Sequence, residues 1–256
     1  MTISFSQLGN LGHVGNQMFQ YAALRGIASN CGYEWAVPAQ YEFGKNYAMR
    51  SSIYDIFNLP SITLLRTVLP GNPVLSEKYF HFDEDLFNNC PDSVDLNGYF
   101  QSYRYFDHIR DELLKEFSFK SNSLCQSKDS VVIHVRRGDY VGQPGFHPLC
   151  DLEYYKKAME VFGDENFIVV SDDPDWCSQQ DVFLRCKIAI NRSVADDLHT
   201  MINAKGNIIA NSSFSWWGAY LNNNPNKKVI APQRWFGEQL SQHDTKDLIP
   251  EEWIKL

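Results

Sequence analysis

The sequence lacks any long apolar run. Its strongest apolar stretches, at residues 131–135 and 208–210, are far shorter than the ~20 residues needed to cross a bilayer as a helix. The opening residues MTISFSQLGN carry neither a basic nor an apolar leader segment, so no signal peptide is expected. Basic charge is also scarce. There are 23 Lys and Arg against 31 Asp and Glu, giving a net charge of −8 and a pI near 5.3. A general nucleic-acid binder needs a basic surface to displace counterions. That class is excluded, and any bound anion must be held by a local cluster of donors. The cysteines, Cys31, Cys90, Cys125, Cys150, Cys177 and Cys186, include no C-x-x-C pair. Zinc-ribbon spacing is therefore absent, and scattered cysteines in a chain of this length read as reduced core residues. HExxH, GxSxG and P-loop patterns are missing too, which leaves nucleophilic hydrolase chemistry without support. These absences lead us to expect a soluble intracellular protein.

What is present is globular. With 44% hydrophobic and 21% charged residues, the chain can build a core and is too apolar to be disordered. At roughly 150 residues per domain, 256 residues make one large or two small domains. The composition of the pattern shifts near residue 125, predicting lobes at 1–125 and 126–256.

The second half alternates between two periods. Residues 131–135 form a β-branched run, like a strand buried on both faces. Asp151 suits the N-cap of a helix with Leu152, Tyr155, Ala158, Met159 and Phe162 on its apolar positions, stopped at Gly163. Residues 167–171 read as a strand, and Asp173-Pro174 as the start of a helix. Residues 187–190 are strand-like. Ser193 and Asp196 make a capping box for a helix carrying Leu198, Met201 and Ile202. A strand at 207–210, a helix from 212–215 to Leu221 and a last strand at 228–231 complete the pattern. This alternation predicts a parallel, doubly wound sheet. The first half is less regular: a strand at 3–8, a glycine-punctuated loop, a helix from about Gln17 to Asn30 and a strand at 33–37. From 41 to 124 the signals are mixed, with one helix expected around 106–117.

Three clusters could carry chemistry. The first is His134-Val135-Arg136-Arg137-Gly138-Asp139-Tyr140. It crosses the C-terminal end of a strand, where open parallel sheets bind ligands. Alternation puts His134 and Arg136 on one face and Arg137 on the other. Two arginines at that edge suit a phosphate. The alternative is a structural ion pair between Arg137 and Asp139. The second cluster, Asn211-Ser212-Ser213-Phe214-Ser215-Trp216-Trp217-Gly218, is strand, hydroxyl-rich turn and helix. It is either an anion site at a helix N-terminus or an ordinary serine N-cap. Its tryptophans are core residues or a sugar-facing platform, with at least one assigned to the core. The third cluster is Gly12-His13-Val14-Gly15-Asn16-Gln17. Its GxxGxxG spacing is a loose match to a dinucleotide fingerprint, yet it lets Asn16 approach a ligand. Asp83-Glu84-Asp85 looks like a DxD metal motif, but a solvated acidic turn accounts for it, so no metal ligands are assigned.

The stretches GNQMFQYAALRG at 15–26, VVIHVRRGDYV at 131–141, HPLCDLEYYKKAM at 147–159, IVVSDD at 168–173 and NIIANSSFSWWGAYL at 207–221 resemble the α-1,2-fucosyltransferase family, inverting enzymes that use GDP-fucose. The resemblance implies an α/β, GT-B-like fold of two Rossmann-type lobes with a cleft between them. It also implies a donor nucleotide on the C-terminal lobe and an acceptor on the N-terminal lobe. By the same resemblance Arg136 binds the β-phosphate, and His134 contacts the nucleotide. Asp197 reads guanine, and Ser213, with Ser212 and Ser215, donates to the phosphates. Asp172, Asn211 and Phe214 complete the donor-binding set, and Asn16 faces the sugar and acceptor. Arg136, Asp139, Asn16 and His147 form the expected catalytic set. Asp139, His147 and His13 remain open as general base, as does proton transfer to the leaving phosphate. There are departures: His13 stands where the family has a second glycine, and Ala204 and Gly206 where it commonly has Cys and His.

The expected reaction moves fucose from GDP-β-L-fucose to the 2-hydroxyl of a galactose-terminated oligosaccharide or glycolipid, without metal or cofactor. An α-1,6 or O-linked transferase is the alternative, and a non-catalytic glycan-binding module a more distant one. With no anchor in the sequence, a bacterial or viral cytoplasmic enzyme is expected. Peripheral association with the inner face of the membrane stays open.

Overall fold

The computed structural model describes residues 1–38, 52–60, 72–121, 127–190 and 192–256. The expected lobe boundary at 125, Cys125 and parts of the 41–124 stretch lie outside them. Contacts group the chain into two compact units, Met1–Ser121 with Asp244–Ile249, and Asn122–His243 with Pro250–Leu256. The segment Asp244–Ile249 thus packs with the first unit rather than with its sequence neighbours. Asp247 accepts a hydrogen bond from the Phe82 amide at 3.1 Å.

The first unit runs β1 (Thr2–Ser4), α1 (Val14–Cys31), β2 (Glu34–Ala36), α2 (Ile53–Ile56), β3 (Val74–Ser76), α3 (Glu84–Asn89), β4 (Asp95–Asn97) and α4 (Arg110–Glu116). Its described strands form a parallel sheet in the order β2-β1-β4-β3. The strand expected at 3–8 is only three residues long. Helix α1 begins at Val14, three residues before the expected start, so Asn16 lies in its first turn. It is buried on most sides and stops at Gly32, whose φ of 68° suits glycine. Gly26 permits close packing, because a Cβ there would overlap the Tyr105 carbonyl oxygen. Buried Asp95 clamps β4 to the end of β1, accepting from Ser4 Oγ at 2.7 Å and the Ser6 amide at 2.8 Å.

The second unit runs β5 (Ser130–Val135), α5 (Leu152–Phe162), β6 (Asn166–Ser171), α6 (Pro174–Ser178), β7 (Lys187–Ile188), α7 (Val194–Ile202), β8 (Gly206–Ile208), α8 (Ser213–Tyr220), β9 (Val229–Ala231) and β10 (Ile254–Lys255). The sheet order is β10-β9-β8-β5-β6-β7, every pairing parallel. Strand β5 is central, which explains its continuous apolar run. The expected caps form: Asp151 accepts from the Tyr154 amide at 2.7 Å, and Ser193 and Asp196 bond reciprocally as a capping box. The expected last strand is not last, since β10 pairs beyond it through Ile254 opposite Ile230. Trp216 and Trp217 are both fully buried, so neither forms a sugar-facing platform. The described cysteines, Cys31, Cys90, Cys150, Cys177 and Cys186, are free thiols. Among the described residues no helix is long and apolar enough to cross a membrane.

Candidate active site

The site grows from the C-terminal end of β5. After buried Val135 the chain tightens into a 3-10 turn over Gly138–Gly142. Arg136 Nη1 pairs with Asp172 Oδ2 at 2.7 Å, and Nη2 pairs with Asp139. The guanidinium carbon stands 5.1 Å from the Tyr140 ring centre. Asp172 is itself held, since its Oδ1 accepts the Arg137 amide at 2.9 Å. The glycine between is required there: a Cβ on Gly138 would overlap Asp172 Oδ2. Arg137 turns away from Arg136. Its Nε bonds Asp173 Oδ2 at 3.0 Å, and its guanidinium lies 3.8 Å from the Trp176 ring centre. The expected alternative pair, Arg137 with Asp139, therefore does not form, because the turn directs Asp139 back to Arg136.

Two histidines flank this guanidinium. His134 is 5% exposed and packs 5.5 Å from Phe214. Burial, and secondarily the Arg136 charge, push it down to about 3, so the ring is neutral at physiological pH. His147 stacks on Tyr140 at 4.6 Å. Burial lowers it too; Asp139 opposes the shift and Arg136 adds to it. Arg136 Nε, His134 Nδ1 and His147 Nδ1 are buried and have no hydrogen-bond partner. Buried polar atoms are nearly always paired, so three orphans around one guanidinium mark a place built for a polar ligand.

The end of the neighbouring strand, β8, supplies the second half. Asn211 donates to the carbonyls of Pro148 and Trp235, both at 2.9 Å. Its own carbonyl accepts from Tyr140 Oη at 3.2 Å. Ser215 is fully buried, with its hydroxyl directed to the carbonyls of Ala210 and Ser212 at 3.1 Å. In this structure Asn211 and Ser215 therefore hold the turn, using the groups that were expected to meet a nucleotide. Ser212 sits at the N-cap of α8 yet makes no capping bond with its side chain, unlike the ordinary serine cap. Ser213 and Phe214 are half-buried at the start of the helix.

Two further expected residues lie on other elements. Asp197, on α7, pairs with Arg192 Nε at 2.8 Å. Burial raises its carboxyl, with Arg192 pulling the other way. Asn16 belongs to the first unit, where its Oδ1 accepts from Gln101 Nε2 at 2.8 Å. Sequence reasoning missed the supporting roles of Tyr140 and Arg192. Tyr140 was legible as the aromatic closing the Arg-Arg-Gly-Asp run; nothing in the sequence pointed to Arg192. Among the described residues no three His, Cys, Asp or Glu side chains gather as metal ligands. Asp83 caps α3 through the Leu86 amide, and Asp85 accepts from Asn89, so that acidic trio has a helix-capping role.

A parallel α/β protein with a donor cluster at adjoining strand ends is the framework of a nucleotide-sugar transferase. The chain belongs to glycosyl transferase family 11, whose model matches residues 6–256. It is 30% identical to an alpha-1,2-colitosyltransferase of Escherichia coli, across 96% of each chain. It is 27% identical to the galactoside 2-alpha-L-fucosyltransferase Sec1 of Mus musculus, across 82% of this chain and 62% of that one. In fold it is similar to the fucosyltransferase NodZ from Bradyrhizobium. The TM-score is 0.51 at 10% identity, covering 85% of this chain and 92% of that one.

Proposed function

We propose that the protein transfers fucose from GDP-β-L-fucose to the 2-hydroxyl of a galactose-terminated oligosaccharide or glycolipid in the cytoplasm, with inversion and without a metal. The observation that carries this reading is Arg136, a guanidinium held by two carboxylates with its Nε buried and unpartnered. The glycosyl transition state develops negative charge on the departing diphosphate, and preorganised donors stabilise it. Asp172, pinned by the Arg137 amide and by the space over Gly138, keeps the fork oriented. Asp139, with a side chain 48% exposed, is the partner that a phosphate replaces. Neutral His134 offers one N–H without adding charge. Ser212, Ser213 and the first amides of α8 add donors. Asp197, fixed through one oxygen by Arg192, accepts from the guanine edge. Asn16 faces the sugar and acceptor.

A second donor sugar is supported by the likeness to the Escherichia coli colitosyltransferase over nearly the whole chain. GDP-colitose is thus the competing donor. The test is GDP release from each donor with a panel of galactosides, with product linkage determined by NMR and activity measured in EDTA. Fucose in α-1,2 linkage and full activity in EDTA are expected. Arg136→Ala should reduce kcat by ~10²–10³; near-normal turnover in that variant would remove the assignment.

A further inference from the structure

The first unit carries a second polar construction, at the C-terminal ends of β1, β3 and β4. Glu77 follows β3 and is half-buried. Its Oε2 accepts the Tyr99 amide at 2.8 Å, and its Oε1 accepts the Phe100 amide at 2.9 Å. Phe100 is fully buried, with φ at 51°. Bulky residues rarely enter that left-handed region, and they stay there only where the surroundings impose it. The two bonds to Glu77 are part of that imposition. Gly98 is part of it too: a Cβ there would lie 2.5 Å from Glu77 Cβ. Buried Gln20 donates to the carbonyls of Gly98 at 3.2 Å and Leu11 at 3.1 Å, tying this turn to the loop after β1.

The next residue after the strained one is Gln101, which is buried and donates to Asn16 Oδ1 at 2.8 Å. The bond selects which end of the Asn16 amide is presented, because Oδ1 is engaged. Asn16 Nδ2 stands over Gly12, where φ is 78° and any Cβ would overlap it. Asn10 Oδ1, Gln20 Oε1 and Ser102 Oγ, on the same loops and helix, are buried without partners. The strain, the glycines and the bonds converge on one amide.

We propose that Glu77 is a positioning residue for Asn16: by holding the Tyr99–Phe100 turn it sets Gln101, and Gln101 sets the face that Asn16 shows to the sugar. The proposal rests on Asn16 being a sugar contact, and Glu77 itself touches no reacting atom. Burial pushes the Glu77 carboxyl up to about 7, against the pull of the two amides. Tyr105 is the ionisable group that feels it. Burial favours the neutral carboxyl, but protonation weakens the two amide bonds that pull the other way, so the local hold on the Tyr99–Phe100 turn slackens as pH falls through about 7.

The experiment measures KM for a galactoside acceptor at saturating GDP-fucose, with GDP affinity by calorimetry as the control for folding. Glu77→Gln and Gln101→Glu should each raise acceptor KM by ~10-fold or more, since small misplacements are costly in turnover and binding; GDP affinity stays unchanged. Glu77→Asp, which keeps the charge, should restore part of the loss. Asn16→Ala should give a similar defect, and adding Glu77→Gln to it should change nothing further, because coupled sites are not additive. Wild-type acceptor KM should rise below pH ~7, and Glu77→Gln should lose that dependence. Unchanged acceptor KM in Glu77→Gln and Gln101→Glu, or multiplying effects in the double variant, overturns the proposal while leaving Asn16 in place. A silent Asn16→Ala overturns the reading of Asn16, and the relay with it.

Discussion

Arg136 and Arg137 are adjacent and chemically identical, yet their surroundings give them separate work. Arg137 is closed off by Asp173 and Trp176, whereas Arg136 keeps a buried, unpartnered Nε. The difference depends on Gly138, which leaves room for the Asp172 carboxylate. Gly138→Ala should displace that carboxylate and misalign the fork, lowering turnover by ~10–10² with the melting curve little changed. Steady-state kinetics beside a thermal melt checks both halves. His134 makes a stability prediction. Its folded-state value of about 3 lies below the ~6.5 of a free histidine. Its neutral form therefore supports folding fully above pH ~6.5 and loses that contribution as pH falls toward 3. The slope reaches up to ~1.4 kcal/mol per pH unit. Urea melts between pH 7 and 5 should show a shallower dependence in His134→Gln. Alternation along β5 made the separation of the arginines readable. The choice of Asp139 for Arg136 was not, because it is decided by a 3-10 turn with no periodic signature.

The elements show why the two halves differed in legibility. Strand β5 has neighbours on both edges and helices over its faces, so its residues had to be β-branched and apolar. Helices α5 and α7 begin at Asp151 and Ser193, whose side chains satisfy the first amides. Those signals are written in residue types. The first sheet hides itself: its strands are three residues long. Strand β4 begins with a buried aspartate that is satisfied by Ser4 and Ser6, about ninety positions earlier. No local window contains that partner, so β4 reads as loop. Helix α1 was recognisable, but its early start was not, since His13 makes no side-chain cap. Gly26 within it carries no local signal, because the carbonyl it makes room for belongs to Tyr105. Gly26→Ala should force α1 off the Tyr105 carbonyl and destabilise by ~1–3 kcal/mol, which differential scanning calorimetry would show as a Tm lowered by roughly 2–8 °C.

Across the whole molecule, the two units carry buried groups of opposite proton preference. Glu77, raised to about 7 in the first unit, stabilises fully below the ordinary carboxylate range and loses that contribution as pH rises through about 7. His134 in the second unit behaves in the opposite sense. Acidification from pH 7 to 5 should therefore weaken the second unit relative to the first. Amide exchange compared across the two sheets is the measurement, and parallel loss of protection would contradict it. The contact between Asp247 and Phe82 spans 165 positions, and Asp247 also reaches Arg104 at 3.8 Å. Asp247→Ala should destabilise the first unit by ~1–3 kcal/mol through the orphaned Phe82 amide, readable as faster proteolysis there. During synthesis the same contact fixes an order of events. Residues up to Ser121 emerge first, but their unit waits for Asp244–Ile249, which the ribosome delivers only after Asn122–His243. The second unit in turn needs Pro250–Leu256 to bring β10 to β9, so the half that is translated first cannot close until the body of the other has been made.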